Sequence, residues 1–351
     1  MDVLAAIQYK KVQPIGVGQG MNSEVFLAFD PQLNGEIAVK EIPKGHFGNN
    51  FGEYHREARV LFATEHRNVV PVRYGCETAT HVCLAMPYFK NGSLASRIAT
   101  GPLRLREVKR VGLEVLNALM RVHIKDFLHF DVKPSNVLFS DIDVAMLSDF
   151  GQARRVLPGG VVQVPPLYAT AVPPECYSTG VGTVESDVYQ MGLLLYRMAN
   201  GDPFFSGQQP KTDAELRQKV ERGKFPKRDA FLPHVPRRLR TIIKKALRVS
   251  PAERYRAAAD FADALGRVRL PLDWEAKPVV GGGFTWTARR DAQPSLVVEL
   301  KPESSAWCVE VNTVRSGDLP RAKNRSDFWR RGLTYPGALE FLRGVFKSLR
   351  R

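Results

Sequence analysis

Cysteine is scarce in this sequence of 351 residues. The four cysteines are Cys76, Cys83, Cys176 and Cys308. None belongs to a C-x-x-C pair, and none lies beside a histidine at a spacing typical of zinc sites. This scarcity excludes a disulfide-rich secreted scaffold and predicts free thiols in a reducing compartment.

Long apolar runs and targeting signals are also missing. Residues Met1 to Val12 contain no charged stretch followed by an apolar run, so we expect no secretory signal. The longest apolar candidate, Met191 to Met198, is shorter than the ~18 residues that cross a bilayer, and it contains Arg197. The sequence therefore predicts a cytoplasmic protein with no membrane partner.

Acidic residues are few compared with basic ones. The 51 Lys and Arg residues outnumber the 36 Asp and Glu residues, which gives a formal net charge of +15. Much of this excess lies after residue 320, where there are many lysines and arginines and the only acidic residues are Asp327 and Glu340. It fits either a solvated surface or a surface for acidic partners.

The hydrophobic pattern changes from a strand period to a helix period along the chain. The first hundred residues contain strand candidates and one charged helix candidate, at 52–64. From about Leu103, apolar residues recur every three or four positions and predict helices. Strands followed by helices indicate an α+β fold rather than alternating βαβ units. The strand candidates are Val25–Phe29, Glu36–Ile42, Val69–Val72 and His81–Met86.

The composition changes again after Leu270. Prolines and a triple glycine predict a linker at 269–283. Beyond it, three strand candidates and a helix at 336–350 predict a small β-plus-helix accessory domain, 284–351. Its aromatic residues lie among arginines, and they fit a hydrophobic core or stacking on nucleic acid bases. We favour the core, and we expect this basic domain to bind a partner protein, with nucleic acid as the alternative.

A glycine pattern lies between the first two strand candidates. Glycine lets the backbone approach a phosphate closely and adopt a positive φ. Lys40 follows in the run I-A-V-K, where a solitary lysine among small and β-branched neighbours can meet phosphate oxygens. The residues of the pattern are Val17, Gly18, Gly20, Ser23 and Val25.

Two polar loops carry the stronger chemical signal. H-F-D-V-K-P-S-N occupies residues 129–136, and D-F-G occupies residues 149–151. Phosphoryl transfer needs a group that accepts the hydroxyl proton, cations over the phosphates, and oxygen ligands for Mg²⁺. The loops offer these groups as Asp131, Lys133, Asn136 and Asp149.

Taken in order, these motifs resemble those of the eukaryotic-type (Hanks-type) serine/threonine protein kinases over residues 9–268. Ser23 replaces the third glycine of G-x-G-x-x-G-x-V, Lys40 fits the lysine of V-A-I-K, and Glu57 fits the helix glutamate that pairs with it. Further matches are P-P-E at 173–175 for A-P-E, Asp187 and Gly192 for D-x-W-S-x-G, and Arg254 for the arginine that pairs with the A-P-E glutamate.

The resemblance implies a fold and a set of roles. The fold would be bilobal, with an antiparallel sheet in the N lobe, a mainly helical C lobe, and ATP between them. Asp131 would accept the proton of the substrate hydroxyl and Lys133 would neutralise the transferred phosphoryl group. Asn136 and Asp149 would hold Mg²⁺, with Mn²⁺ as an alternative ion.

The resemblance also implies a nucleotide pocket. Lys40, positioned by Glu57, would hold the α- and β-phosphates of ATP. Ala38 would contact the adenine, Met86 would be the gatekeeper, and Tyr88 would lie in the hinge. The glycine pattern from Val17 to Val25 would cover the phosphates.

The sequence departs from the family in three places. Phe130 replaces the arginine of H-R-D, which often receives an activation-loop phosphate, so we expect activity that does not depend on such phosphorylation. The segment 167–171, with Tyr168 and Thr170, matches G-T-x-x-Y poorly. Ser135 stands where kinases that prefer basic substrates often carry glutamate, which suggests neutral or acidic protein substrates.

Two alternatives remain open on the sequence alone. A pseudokinase scaffold would be favoured by loss of Lys40, Asp131 or Asp149, but all three are present. A small-molecule kinase of the aminoglycoside phosphotransferase type shares the His-x-Asp…Asn loop. The literal D-F-G, the P-P-E segment and Arg254 favour a protein substrate.

Overall fold

The computed structural model describes residues 6–16, 23–48, 50–156, 159–290, 293–314 and 323–349. Its first part, the N lobe, contains strands β1 (Lys10–Ile15), β2 (Glu24–Asp30), β3 (Gly35–Pro43), β4 (Tyr74–Glu77) and β5 (His81–Pro87). These described strands form an antiparallel sheet in the order β1-β2-β3-β5-β4. Strand β3 is the central strand of this sheet and is buried from Ile37 to Glu41. The Lys40 side chain therefore lies in the interior of the protein.

Helix α1 (Arg56–Ala63) packs beside this sheet and supplies Glu57. It begins later than the expected helix at 52–64, because residues Phe51–Glu53 form a 3₁₀ turn instead. Its buried side chains are Glu57, Val60 and Leu61, which recur at the helical spacing of three and four residues. Glu57 is therefore carried on the face of α1 that points into the protein.

The predicted strand at Val69–Val72 was wrong. In the described structure Val69 makes only an isolated bridge to Leu147, and the amide of Val70 donates to the Leu147 carbonyl at 2.9 Å. A short apolar run predicts burial reliably but does not distinguish a strand from a buried connecting segment. Here the segment connects α1 to β4 within the N lobe and contacts Leu147, which lies later in the chain.

The C lobe is mainly helical. Its helices are α2 (Leu94–Ile98), α3 (Leu105–Ile124), α4 (Pro174–Thr179), α5 (Val184–Asn200), α6 (Asp202–Ser206), α7 (Asp213–Glu221), α8 (Arg237–Ala246) and α9 (Ala258–Gly266). Its short strands are β6 (Phe127–Leu128), β7 (Val137–Phe139), β8 (Ala145–Leu147), β9 (Arg154–Arg155), β10 (Val162–Gln163) and β11 (Val181–Gly182).

Helices α3 and α5 form the centre of the C lobe. On α3, the predicted apolar stripe is buried, from Val108 through Val115 to Val122. On α5, nearly every side chain is buried, which is typical of a helix enclosed on all sides. A β-carbon at Gly112 of α3 would lie 2.8 Å from Leu195 and from Leu265, so this glycine permits the close helix packing. No helix among the described residues has the length and apolar character needed to cross a membrane.

A second sheet follows the C lobe. Its strands are β12 (Trp274–Pro278), β13 (Phe284–Arg290), β14 (Gln293–Glu303), β15 (Ala306–Val314), β16 (Lys323–Asn324) and β17 (Arg330–Leu333), and helix α10 (Tyr335–Ser348) follows. The strands pair antiparallel, with β12 to β16 in sequence order and β17 beside β15. The three predicted strands and the predicted helix correspond to β13, β14, β15 and α10.

The segment predicted as a linker, 269–283, contains strand β12. Trp274 and Ala276 are buried on one face of this strand, and the triple glycine is the turn that leads into β13. The prediction failed because proline and glycine on both sides of a five-residue strand hid its alternation. Strand β12 therefore belongs to the C-terminal sheet.

The core of this C-terminal part is continuous with the core of the C lobe. Trp286 is fully buried, and its Nε1 donates to Nδ1 of His234 at 3.0 Å. Phe346 of α10 packs edge-on against Trp274 and Trp286, with ring centroids 4.9 and 5.4 Å apart. These buried rings form hydrophobic core and are not exposed for stacking on nucleic acid bases.

Candidate functional site

A buried ion-pair cluster joins the two lobes. Nζ of Lys40 lies 2.8 and 3.0 Å from the carboxylate oxygens of Glu57, and 2.8 Å from Oδ1 of Asp149. Burial opposes the charged form of Lys40, but Asp149 and Glu57 outweigh it and raise the pKa of Lys40. Burial likewise opposes ionisation of Asp149, but the Lys40 ammonium lowers the pKa of Asp149 to about 2. Lys40 and Asp149 are therefore both charged near neutral pH.

A second cluster lies beside the first. Nζ of Lys133 is 2.8 Å from Oδ2 of Asp131. Nδ2 of Asn136 donates to the same oxygen at 2.8 Å and to the main-chain oxygen of Asp131 at 2.8 Å. The Asp131 carboxylate is therefore fixed by two neighbours in the same loop, and it is almost completely buried.

The loop that carries Asp131 is held from helix α5. The carboxylate of Asp187 accepts from the amide nitrogens of His129 and Phe130 at 2.9 and 2.8 Å. Gln190, one turn further along α5, donates to the Phe130 carbonyl at 2.7 Å. Phe130 has a φ of 61°, an unfavourable conformation for an aromatic residue. These hydrogen bonds to a buried helix are what maintain it.

A cavity of about 340 Å³ lies between the lobes. Its walls include Val25 and Ala38 of the sheet, Met86 at the end of β5, and Tyr88 just beyond it. Its polar lining residues include Lys40, Asn136, Asp149 and Ser23. The structure thus brings the described residues of the predicted nucleotide pocket together around one space. Val17, Gly18 and Gly20 lie outside the described residues.

The donor atoms at the inner end of this cavity fit Mg²⁺. Nδ2 of Asn136 is used in bonds to Asp131. Its Oδ1 accepts from the Ser135 hydroxyl at 3.3 Å and keeps a second lone pair that can bind a cation. The ionised carboxylate of Asp149 also lines this cavity. Mg²⁺ prefers such oxygen ligands and usually takes only one or two from the protein, with phosphates and water completing the shell. Within the described ranges, no group of three or more His, Cys, Asp or Glu could hold a metal.

The structure adds Arg56, which the sequence analysis did not single out. Its Nη2 donates to the Gly151 carbonyl at 2.8 Å, and its Nη1 donates to the Ala153 carbonyl at 2.5 Å. Arg56 precedes Glu57 on helix α1, so it ties this helix to the D-F-G segment. An arginine in the first turn of a charged helix resembles an ordinary surface residue, and only the contact identifies it.

Tyr168 is a second residue whose position the sequence did not indicate. The ammonium of Lys133 lies 3.5 Å from the centroid of the Tyr168 ring. This is a cation–π contact at short range. The segment that matched G-T-x-x-Y poorly therefore still reaches the catalytic loop, through an aromatic side chain.

The pair between Glu175 and Arg254 is present, as the resemblance implied. Both guanidinium nitrogens Nη1 and Nη2 donate to the carboxylate, at 2.8 and 2.6 Å. The Arg254 side chain is fully buried, so this bidentate pair anchors the P-P-E segment to the C lobe. It lies away from the cavity and has a structural role.

The protein kinase fold has two lobes on either side of one cleft. A lysine on the sheet of the N lobe, a glutamate on its helix and two loops that carry aspartates face this cleft, as they do here. Comparison with known families agrees: the protein kinase domain matches residues 9–263. The chain belongs to this family.

Similar proteins are bacterial kinases. The chain is 26% identical over 250 residues to serine/threonine-protein kinase PrkC of Bacillus subtilis, covering 70% of this chain and 38% of that protein. It is 30% identical over 277 residues to serine/threonine-protein kinase pkn2 of Myxococcus xanthus, covering 76% and 33%. It is 28% identical over 264 residues to serine/threonine-protein kinase PknL of Mycobacterium tuberculosis, covering 73% and 65%. The chain thus spans between a third and two thirds of the length of these relatives.

Proposed function

We propose that the chain is a protein kinase that transfers the γ-phosphate of ATP to serine or threonine hydroxyls of protein substrates, with Mg²⁺. The observation that carries this proposal is the Lys40 ammonium held between Glu57 and Asp149 at 2.8–3.0 Å. This contact needs helix α1 and the D-F-G segment in place together, which is the arrangement that phosphoryl transfer by protein kinases requires. The names of the relatives support the serine/threonine class.

In this proposal each polar group has one task. Bound ATP would supply the γ-phosphoryl group and leave as ADP, and Mg²⁺ would neutralise part of the charge on the phosphates. Asp131 orients the acceptor hydroxyl, because its carboxylate is already fixed by Lys133 and Asn136. The same carboxylate accepts the hydroxyl proton. Lys133 places a positive charge beside the transferred group. Lys40 holds phosphate oxygens at the inner end of the cavity.

The test measures transfer of labelled phosphate from Mg·ATP by the purified chain. The substrates are the chain itself and a mixture of proteins. We expect phosphoserine and phosphothreonine among the products, and we expect Asp131→Asn to reduce transfer by about a hundredfold or more, since a positioned base contributes that much. Unchanged transfer by Asp131→Asn would refute the assignment. Nucleotide binding without any transfer would favour the scaffold alternative.

We also propose that activity does not depend on phosphorylation of the activation loop. Phe130 occupies the place of the arginine that would receive such a phosphate, and its side chain is fully buried. A β-carbon at Gly182 would collide with the Phe130 ring, so the ring packs directly on strand β11. A buried phenyl ring offers no charge to a phosphate.

This proposal predicts that hydroxyl groups in the activation loop are dispensable. The double variant Tyr168→Phe and Thr170→Val should keep essentially the turnover of the unaltered chain, because the phenyl ring retains its contact with Lys133. Turnover is measured on one protein substrate, before and after phosphatase treatment of the enzyme. A large loss in either comparison would show that a loop phosphate is needed.

In place of a loop phosphate, Arg56 would hold helix α1 beside the D-F-G segment. We expect Arg56→Gln to lower turnover by about tenfold, because hydrogen bonds from the charged guanidinium to Gly151 and Ala153 are lost. Arg59→Gln, an exposed position on the same helix, is the matched control and should have little effect. Equal losses in the two variants, or a loss explained by a lower melting temperature, would contradict this role.

A further inference from the structure

Gln190 of helix α5 binds the catalytic loop, residues 129–136, on both sides of Asp131. Its Nε2 donates to the Phe130 carbonyl at 2.7 Å, and its Oε1 accepts from the Val132 amide nitrogen at 3.0 Å. These two main-chain atoms belong to the two peptide groups that flank Asp131. Because each peptide group is planar, holding both of them restricts the backbone dihedral angles of Asp131 and the direction of its side chain.

The same side-chain amide reaches a second segment of the chain. Nε2 of Gln190 also donates to the Ala171 carbonyl at 3.2 Å. A side-chain amide has two N–H donors and one carbonyl oxygen, so both donors and the acceptor of Gln190 are in use. Gln190 is completely buried, and its polar atoms therefore depend on these bonds. Through them it joins the catalytic loop to the segment that ends at Ala171.

This segment, residues 168–171, also contacts the catalytic loop at its other end. Nζ of Lys133 lies 3.5 Å from the centroid of the Tyr168 ring and 2.8 Å from Oδ2 of Asp131. Residues Ala169–Ala171 form a 3₁₀ turn after Tyr168. Most of the segment is partly exposed. It is thus attached to the catalytic loop at both ends, and its outer side remains accessible to a protein substrate.

A serine in place of Gln190 would not make these contacts. The family pattern D-x-W-S-x-G has serine at this position, between Asp187 and Gly192. A serine hydroxyl has a single donor on a shorter side chain, so it cannot bind the Phe130 and Ala171 carbonyls together. The triple contact therefore belongs to this chain rather than to the pattern. It occurs in the chain in which Phe130 has replaced the arginine that receives a loop phosphate.

We propose that Gln190 and Tyr168 are positioning residues that hold the 168–171 segment against the catalytic loop without a loop phosphate. A protein substrate whose acceptor hydroxyl reaches Asp131 lies against this segment, so the two contacts fix the substrate chain and the base relative to each other. The inference rests on the proposed kinase function. It concerns the part of the site that serves the protein substrate, because neither residue is among those that line the cavity between the lobes.

The kinetic test measures kcat and both KM values of the full chain on one protein substrate, well below the melting temperature of each variant. We expect Gln190→Ser to lower kcat by about tenfold, because hydrogen bonds on both sides of Asp131 are lost. The KM for ATP should not change. Tyr168→Leu should give the same separation of kcat from the KM for ATP, because it removes the ring contact with Lys133. A purely structural role would lower the melting temperature without this separation.

Gln208 supplies the matched control. Its Oε1 accepts from the Lys227 amide nitrogen at 2.8 Å. Its Nε2 donates to the Phe204 carbonyl at 2.9 Å and to the Tyr196 hydroxyl at 3.0 Å. Gln208→Ser therefore removes a similar set of bonds from the C lobe, outside the catalytic loop and the 168–171 segment. It should leave kcat unaltered.

Amide hydrogen exchange gives a readout that does not depend on turnover, because it reports local opening. In Gln190→Ser, exchange should become faster at residues 130–132 and 168–171 and stay the same in strand β3. If the unaltered chain transfers no phosphate, the proposed function fails, and exchange alone then decides this inference. Unchanged exchange in the two segments overturns it.

The kinetic outcomes are equally decisive. An unchanged kcat in Gln190→Ser or in Tyr168→Leu overturns the inference, and so does an equal loss in Gln208→Ser. A change in the KM for ATP as large as the change in kcat also overturns it, because general damage to the site would be the cause. If Gln190→Ser does not fold, Tyr168→Leu carries both the kinetic and the exchange test, since Tyr168 is only partly buried.

Discussion

Replacement of Asp149 by asparagine is expected to lower turnover by about a thousandfold, because the variant loses the charged oxygen that both Lys40 and Mg²⁺ would use. The shape of the side chain is almost unchanged. Lys40 would keep its two contacts with Glu57, at 2.8 and 3.0 Å, so the lobes should remain in place. The measurement is transfer of phosphate from ATP at several Mg²⁺ concentrations, with the melting temperature recorded alongside.

A matched substitution is available close by in the sequence. Asp141→Asn removes the same charge from an exposed turn of the C lobe and should leave turnover unaltered. If Asp149→Asn retained more than a small part of the activity, the assignment of Asp149 as a metal ligand would fail. If both variants lost activity equally, net charge rather than the site would be the cause.

Replacement of Trp286 by alanine is expected to destabilise the whole protein by about 3–5 kcal/mol, the range for an aromatic residue removed from a core. Trp286 is fully buried, lies 5.4 Å from the Phe346 ring and donates to His234. Its loss creates a cavity between the C-terminal sheet and the C lobe. It also leaves a buried histidine without its indole partner. Denaturant-induced unfolding of the full chain measures the effect.

Trp307→Ala is the control, since Trp307 is only partly buried and packs against Tyr335. It should cost clearly less stability than Trp286→Ala. The two unfolding curves also test how the parts of the chain are joined. A small loss for Trp286→Ala, confined to the C-terminal strands, would show that those strands fold apart from the kinase fold.

The chemistry of the cleft could be predicted from the sequence because it depends on residue types in a fixed order. Lys40, Asp131, Asn136 and Asp149 stand in local motifs, each attached to an apolar strand or loop that sets its direction. Their meeting in one place follows from the family fold. The sequence also indicated the helical stripe on α3, because burial of one helix face requires that period.

Contacts made by ordinary-looking residues could not be predicted in the same way. Arg56 binds main-chain oxygens, which carry no sequence signature. Strand β12 was missed because the prolines and glycines around it hid its alternation, and only its pairing with β13 identifies it as a strand. Each of these features depends on a distant part of the chain.

The position of Phe346 near the end of the sequence affects when the core of the C lobe can be covered during synthesis. The family match ends at residue 263, yet both rings that pack on His234 of the C lobe come after it. Trp286 follows in the C-terminal sheet, and Phe346 lies more than eighty residues beyond the end of the match. A nascent chain that has just finished the matched region therefore exposes an apolar surface around His234. We expect that surface to attract chaperones until α10 emerges from the ribosome and docks.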